Sequence, residues 1–311
     1  MVPAVAAGQV RVRTAYSGIS AGTEMLAYRG QLDPEMAVDE AIGALGGTFR
    51  YPFQYGYSCV GRVEESRADI PVGALVFAFH PHQDCFVVDA DQVIALPEID
   101  ARTATLYPFV ETALQVTLDA GAVLGQTVVV VGLGVVGVLT GLLVQRDGAT
   151  VIGLESQRER RAVAVSLGLT AVAPDDAHGA LATAGRPDGV GLVIEASGNP
   201  DALAPALDLL DHEGTVLVAS WYGRGDAVLP LGGRFHRRRL TIRSTQVSTI
   251  PAHLSATWDH GRRQRVAVEL MATLPLDVLA THTFPFADAG DALAAIDAGE
   301  AGLLHVALGY E

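Results

Sequence analysis

Three glycines and one acid carry the clearest chemistry in this chain. Gly132, Gly134 and Gly137 are spaced G-x-G-x-x-G within VVVVGLGVVGVL, and Glu155 follows Gly137 by 18 residues. In that spacing Gly132 permits a tight turn, Gly134 lets backbone approach a pyrophosphate, and Gly137 lets a helix pack close to the preceding strand. A helix starting at Val135 and Val136 would then direct unpaired N–H groups and the positive end of its dipole at the phosphates. Glu155 would accept hydrogen bonds from the adenosine ribose hydroxyls and repel a 2′-phosphate, which favours NAD. Arg158, Arg160 and Arg161 follow closely, however, and an arginine there, Arg160 above all, could pair with a 2′-phosphate, so NADP stays open. A second cluster is His80, His82, Asp84 and Cys85. Paired histidines in a polar loop are more often hydrogen-bonded or solvated than metal-bound, and no metal is expected there.

The elements that must position these residues are legible around them. Val128 to Val131 is a β-branched run suited to a strand buried on both faces, and Val135 to Val144 has helical length. Thr150 to Leu154 is a second buried strand ending at Glu155, which completes a βαβ unit. Leu192 to Ala196 is a further strand, followed by Ser197 and Gly198, and the strand Thr215 to Ala219 leads to Ser220, Trp221 and Tyr222. The first 117 residues read as β-rich. Val10 to Tyr16 alternates with period two, SGISAGTE from Ser17 to Glu24 is a glycine-punctuated loop, and Pro34 to Leu45 contains a possible helix. PFQYGYSCVGRVE places a strand after a turn at Gly56, and ALVFAFH is another before the loop PHQD. Glu111, in ETAL at a helix start, suits helix capping or a domain junction. Beyond Pro251 a helix is expected over Leu254 to Leu274, then the strand-like HTFPF, a helix over Ala287 to Ala298, and LLHVALG.

Composition excludes several classes. No apolar run reaches the roughly eighteen residues a membrane span needs, and the N-terminus shows no secretory signal. Cys59 and Cys85 are the only cysteines, too few for a disulfide framework or a four-cysteine zinc lobe, which suits the cytoplasm. A net charge of −14 argues against nucleic-acid binding. The arginines at 237, 238, 239 and 243 lead into a strand and read as a solvated turn, or as a contact with phosphates or substrate acids. There is no lysine, so a Schiff-base or lysine general-base mechanism is not available.

With these residues in place, the chain resembles the medium-chain dehydrogenase/reductase superfamily over nearly its whole length. SGISAGTE stands where that family has a loop of the type SGICGTD, GYSCVGRV where it has GHExxGxV, and VIEASGNPDALAPALDLLDHEGTVLVASWYG matches its later Rossmann strands. Within the superfamily it is similar to the short, zinc-lacking branch that includes bacteriochlorophyllide dehydrogenase, through SGIS-x-GTE, PHQ and ETAL. The resemblance implies an α/β fold: a doubly wound parallel Rossmann sheet over 118–247, and a GroES-like β-rich catalytic domain over 1–117 and 248–311. The family's opening strands, which precede the equivalent of Val10, are expected to be missing. It also implies a homodimer paired across sheet edges. Ser197, Gly198, Ser220, Trp221 and Tyr222 would line the cofactor crevice, though Trp221 could equally be a packing aromatic at the domain interface, and the backbone of Thr245 and Gln246 would meet the nicotinamide carboxamide.

The departures from the family pattern concern zinc. Where the family has its cysteine ligand this chain has Ser20 or Ala21; at the histidine and glutamate it has Tyr57 and Ser58, and at the last ligand Pro108. None is a competent zinc ligand in its neutral state. Proton transfer and carbonyl polarisation must then come from side chains. By resemblance Thr23 matches the hydroxyl that relays the alcohol proton and Glu24 its neighbouring acid. Tyr57 could stabilise an oxyanion, Ser58 replaces a ligand beside it, and His82 could shuttle a proton. Thr23 could equally cap the loop, Glu24 be structural and Tyr57 fill space. The expected function is a zinc-independent NAD(P)-dependent oxidoreductase acting on a secondary alcohol/ketone pair of a small organic molecule. Reduction of an activated C=C bond, a lyase or isomerase using bound NAD, and a non-catalytic cofactor-binding protein are the alternatives.

Overall fold

The chain divides into two compact units, Met1–Pro108 with Gln264–Glu311, and Phe109–Arg263. The computed structural model describes residues 4–40 and 42–310. In chain order, the first unit opens with β1 (Gln9–Ile19), α1 (Thr23–Tyr28), β2 (Cys59–Ser66), β3 (Leu75–Ala78), β4 (Cys85–Asp89), β5 (Val93–Ala95) and α2 (Ala101–Ala104). β1 is the hub of an antiparallel arrangement, because its alternating pattern buries Val10 and Val12 while Arg11 and Arg13 face outward to Glu65 and Glu64. Gly61, on β2, lies where a Cβ would be 2.1 Å from the Arg13 carbonyl oxygen, so only glycine lets β1 and β2 approach so closely. Among the described residues, the expected helix at 34–45 is absent. Asp33 and Asp39 instead accept the backbone N–H groups of Glu35 and Ile42, and these local turns, with a bridge from Ala37 to Thr48, outcompete a helix weakened by Gly43.

The second unit takes the chain from the body of α3 (Tyr107–Ala120) through β6 (Thr127–Val131), α4 (Val135–Arg146), β7 (Thr150–Leu154), α5 (Arg158–Ser166), β8 (Thr170–Val172), α6 (Ala177–Thr183), β9 (Val190–Glu195), α7 (Leu203–Asp208), β10 (Leu210–Val218) and β11 (Thr241–Ser244). Its sheet order is β11-β10-β9-β6-β7-β8 with every pair parallel. Numbered within the unit this is 3-2-1-4-5-6, the doubly wound dinucleotide-binding order, whose strand order reverses at β6 and β9. Val128, Val129, Val130, Val193 and Ile194 are almost wholly buried, as strands covered on both faces require.

α8 (His260–Met271) begins later than the helix expected from Leu254. Asp259 accepts the N–H of Arg262 at 2.6 Å and starts the helix there, while residues 251–257 form turns. The chain then adds α9 (Leu276–Leu279), β12 (His282–Pro285), α10 (Ala289–Asp297) and β13 (Val306–Gly309) to the first unit. β13 pairs antiparallel with β1 and parallel with β12, giving seven strands in all. The joins fall at 108/109 and 263/264, not at 117/118 and 247/248. Arg263 ties the start of α8 to Glu111 and Gln115 of α3 at 3.1 and 2.7 Å, which keeps both segments with the parallel sheet.

Candidate functional site

The glycine turn sits at the switch point of the parallel sheet. Gly132 has φ +88°, a left-handed backbone, and a Cβ there would lie 2.5 Å from Ser197 Cα. Glycine at 132 therefore lets the β6 turn lie directly against the end of β9. At Gly137 a Cβ would meet the Gly132 carbonyl oxygen at 1.9 Å, so the helix can follow the turn only without a side chain. Gly134 is open space apart from an Arg160 guanidinium nitrogen at 4.0 Å from its notional Cβ. It is also the N-cap of α4 and has no capping side chain. A helix start left open by a glycine cap, with Val135 and Val136 in its first turn and a guanidinium beside it, fits the pyrophosphate of a dinucleotide.

Glu155 directly follows β7 and is 7% exposed. One carboxylate oxygen accepts the Leu133 N–H inside the glycine turn at 2.9 Å; the other accepts the Gln157 N–H at 2.9 Å and the Ser156 hydroxyl at 3.2 Å. The acid expected to read a ribose is thus also a strut of the turn itself. Arg161 donates to the carbonyls of Glu155 and Ser156, both at 2.7 Å, which holds the start of α5 in place.

Across the switch point lies a group that the sequence reading missed. Glu195, the last residue of β9, is fully buried and accepts the Ser197 N–H at 2.7 Å together with the Ser197 and Tyr222 hydroxyls. Burial and this carboxylate push the Tyr222 phenol well above its ordinary range. Ser220 accepts the Gly198 N–H at 2.8 Å, and Trp221 is exposed. Ser197, Gly198, Ser220 and Tyr222 are therefore one hydrogen-bonded cluster, built on an acid whose signal was a charge inside the apolar run VIEAS. Further along, the Thr245 hydroxyl is engaged by Asp119, Arg243 donates to the Asp119 carbonyl, and Gln246 accepts the Ser248 N–H. Asp119 in turn accepts from Gln115 at 3.2 Å. Glu111 pairs with Arg263 near both joins of the chain and belongs to a buried chain Glu111–Arg263–Gln115–Asp119–Thr245 that anchors the segment after β11.

In the first unit a second polar group forms around α1. Glu24 is 6% exposed. One of its oxygens accepts the Ser20 N–H at 2.8 Å and the other lies 2.8 Å from His82 Nε2. Thr23 donates its N–H to the Ser20 hydroxyl at 3.2 Å. The Tyr57 phenol is within hydrogen-bonding reach of the Ser20 and Thr23 side chains; burial, and Glu24 to a lesser degree, push it up to about 12. At neutral pH it is a phenol able to donate to an oxyanion. Ser58 is turned away from this group, its hydroxyl donating to the Thr105 carbonyl at 2.7 Å. His82 is brought in by Gly56, which has φ +100° and whose notional Cβ would lie 2.4 Å from the imidazole. The His82 N–H also bonds the Tyr55 carbonyl at 3.1 Å. His80 is separate: it stacks on Phe86 at 4.1 Å, and burial lowers its pKa. No group of three or more histidine, cysteine, aspartate or glutamate side chains with metal-holding geometry occurs among the described residues.

Comparison with known proteins agrees with this geometry. The family model described as zinc-binding dehydrogenase matches residues 135–260. D-guloside 3-dehydrogenase of Escherichia coli K12 is 26% identical over 289 residues, covering 86% of this chain and 82% of that protein. The 2-desacetyl-2-hydroxyethyl bacteriochlorophyllide A dehydrogenase of Cereibacter sphaeroides is 28% identical over 310 residues, covering 93% and 86%. An alcohol dehydrogenase of Escherichia coli CFT073, whose crystal structure holds NADH, superposes with a TM-score of 0.76 at 19% identity, covering 99% of this chain and 94% of that one. The doubly wound sheet with its glycine turn, the accompanying antiparallel unit and these relatives point the same way: the zinc-binding dehydrogenase model covers residues 135–260, and the chain is similar over most of its length to dehydrogenases of the medium-chain dehydrogenase/reductase type.

Proposed function

We propose that this protein is a zinc-independent, nicotinamide-dependent oxidoreductase that interconverts a secondary alcohol and a ketone of a small organic metabolite. The observation that carries this reading is the polar group of the first unit. At positions where the superfamily places zinc ligands stand Ser20 and Tyr57, and they form with Thr23, Glu24 and His82 a hydrogen-bonded set of donors and acceptors. A hydroxyl and a phenol at the ligand positions are poor partners for Zn²⁺, which takes thiolate, imidazole or carboxylate in tetrahedral geometry, and the one imidazole and one carboxylate of the set, His82 and Glu24, are bonded to each other.

When bound, the nicotinamide supplies or accepts the hydride. The chain's own residues manage the rest. The Tyr57 phenol and the Thr23 hydroxyl hold the substrate oxygen by donation, and the phenol stabilises negative charge developing on it. In the oxidative direction the Glu24–His82 pair would take the proton released from the alcohol's hydroxyl as the ketone forms. In the reductive direction the same pair returns the proton. Gly132, Gly134, Val135, Val136 and Gly137 hold the pyrophosphate. Glu155 favours NAD, while Arg160, beside Gly134, leaves NADP acceptable. The names of the relatives, which act on sugar derivatives and a tetrapyrrole, support an alcohol as substrate. The same reading takes the protein as cytoplasmic and homodimeric, with neither nucleic acid nor membrane as partner.

The test is direct. Purified protein is assayed for metal by elemental analysis and for absorbance change at 340 nm with NAD and secondary alcohols, and with NADH and ketones. Turnover with substoichiometric zinc is expected. One tightly held zinc per subunit, or substrate turnover with no net change at 340 nm, overturns the reading.

A further inference from the structure

We infer that Ser17 and Tyr310 are positioning residues that fix the tautomer of His82, so that its Nε2–H is held on Glu24. The inference starts from a hydrogen-bonded chain with a defined end. Ser17 Oγ lies 2.7 Å from His82 Nδ1, and Tyr310 OH lies 2.8 Å from Ser17 Oγ. At the other end, His82 Nε2 lies 2.8 Å from Glu24 Oε2, while the second Glu24 oxygen accepts the Ser20 N–H.

A carboxylate accepts and cannot donate, so Glu24 requires the proton on Nε2. In a neutral imidazole Nδ1 is then an acceptor, and the Ser17 hydroxyl must donate to it. Ser17 has one proton, now spent, so its oxygen is free to accept from the Tyr310 phenol. Each polarity follows from the one before it, and the order is Tyr310 to Ser17 to His82 to Glu24. Burial pushes the Tyr310 phenol above its ordinary range, so the terminal donor keeps its proton at neutral pH.

The fold holds every member of this chain. Ser17 is fully buried on β1 and pairs in register with Leu308 of β13. Tyr310 follows that strand, donates its N–H to the Ala15 carbonyl at 3.1 Å, and stacks on Phe286 at 4.6 Å. Two residues 293 positions apart thereby meet, and Ser17 carries the contact on to the imidazole nitrogen. The His82 ring itself rests on Gly56. That the tautomer matters for catalysis rests on the proposed role of Glu24 and His82; the tautomer itself does not depend on that role.

The experiment therefore reads the ring and needs no substrate. The full chain is labelled with ¹⁵N-histidine, and two-bond ¹H–¹⁵N correlations are recorded at pH 7.5. Of the nine histidines, His82 is assigned by the signal lost in His82→Gln. A single Nε2–H tautomer is expected. In Tyr310→Phe, which keeps the stack on Phe286, the Nδ1–H form should rise about fivefold to tenfold relative to Nε2–H, the scale of one hydrogen bond. Ser17→Ala should raise it at least as far, and unchanged signals from the other histidines show that each variant is folded. An Nδ1–H tautomer, a ring protonated on both nitrogens, or a ratio unmoved by both substitutions overturns the inference. If instead the tautomer is as stated while Glu24→Gln keeps full hydride transfer, it is the proposed function that fails.

Discussion

Replacing Glu155 with alanine separates two roles that a sequence motif cannot distinguish. If the carboxylate only read the ribose, its removal would leave the protein without cofactor unchanged. The structure gives it a second task, since its oxygens accept the backbone N–H groups of Leu133 and Gln157, both at 2.9 Å. In the alanine variant these donors lose their partner, and each unsatisfied buried N–H costs about 1–3 kcal/mol. The Leu133 N–H is buried and bears this cost in full, whereas the part-buried Gln157 N–H can turn to water, so the loss is roughly 1–3 kcal/mol for the parallel-sheet unit. At about 2–4 °C per kcal/mol for a unit of this size, the melting temperature of cofactor-free protein should fall by about 2–12 °C. Differential scanning calorimetry without nucleotide measures this directly. Titration with NADH and NADPH supplies the second readout: affinity for both should weaken because the turn is loosened, and NADH should lose more because its ribose contact also disappears. A cofactor-free melting temperature within about 2 °C of the parent, combined with altered nucleotide preference, would refute the argument that Glu155 holds the turn.

Other perturbations probe the remaining parts. Gly56→Ala puts a Cβ 2.4 Å from the His82 ring at φ +100°; a displacement of about 1 Å should cost turnover on the order of 100-fold while NADH affinity, measured by titration, stays unchanged. Glu111→Ala leaves the buried Arg263 guanidinium without its carboxylate, a loss of about 3–5 kcal/mol visible in calorimetry, whereas Glu111→Met with Arg263→Leu should recover most of it. His305 is fully buried on the Thr105 hydroxyl at 2.8 Å, and burial lowers its pKa from 6.5 to about 3. Below pH 6.5 the unfolded chain binds a proton that the folded chain refuses. Stability therefore falls as pH drops from 6.5 toward 3, by at most about 1.4 kcal/mol per pH unit, and is unaffected by this group at higher pH. Urea midpoints at pH 7.5 and 5 should converge in His305→Asn relative to the parent; an unchanged difference would show that His305 does not set that slope.

What the sequence made legible is local. The glycine spacing, the β-branched runs on either side and the acid at the end of β7 lie within a short stretch of chain, so period and turn chemistry were enough to recognise the turn. The doubly wound parallel sheet was expected by resemblance, and the order 3-2-1-4-5-6 seen in the structure is among the few ways parallel strands joined by helices can connect. Failures occurred where a side chain changed the local competition. Asp33 and Asp39 turned a helical-looking segment into turns, and Asp259 delayed the start of α8. Other features had no local signal at all. Glu111 looked like a helix-start acid, and only the approach of Arg263, 152 positions later, makes it half of a buried pair.

On the proposed zinc-independent reading, the first unit keeps a polar site without a Lewis acid. Ser20 and Tyr57 stand at the ligand positions, and hydroxyls buried together need partners of their own. Here the partners come from one another and from Glu24, whose oxygens are shared by the α1 entry loop and His82. His82 could not reach that carboxylate with any side chain at position 56, so the glycine at 56 and the histidine at 82 are physically one feature although they lie on different loops. A buried carboxylate–imidazole pair held so tightly is costly unless each remaining nitrogen and oxygen is satisfied. That requirement extends the group to Ser17 and Tyr310 at the far end of the chain. The substituted positions were visible in the sequence; the carboxylate–imidazole relay that answers for them became visible only when β13 was laid beside β1.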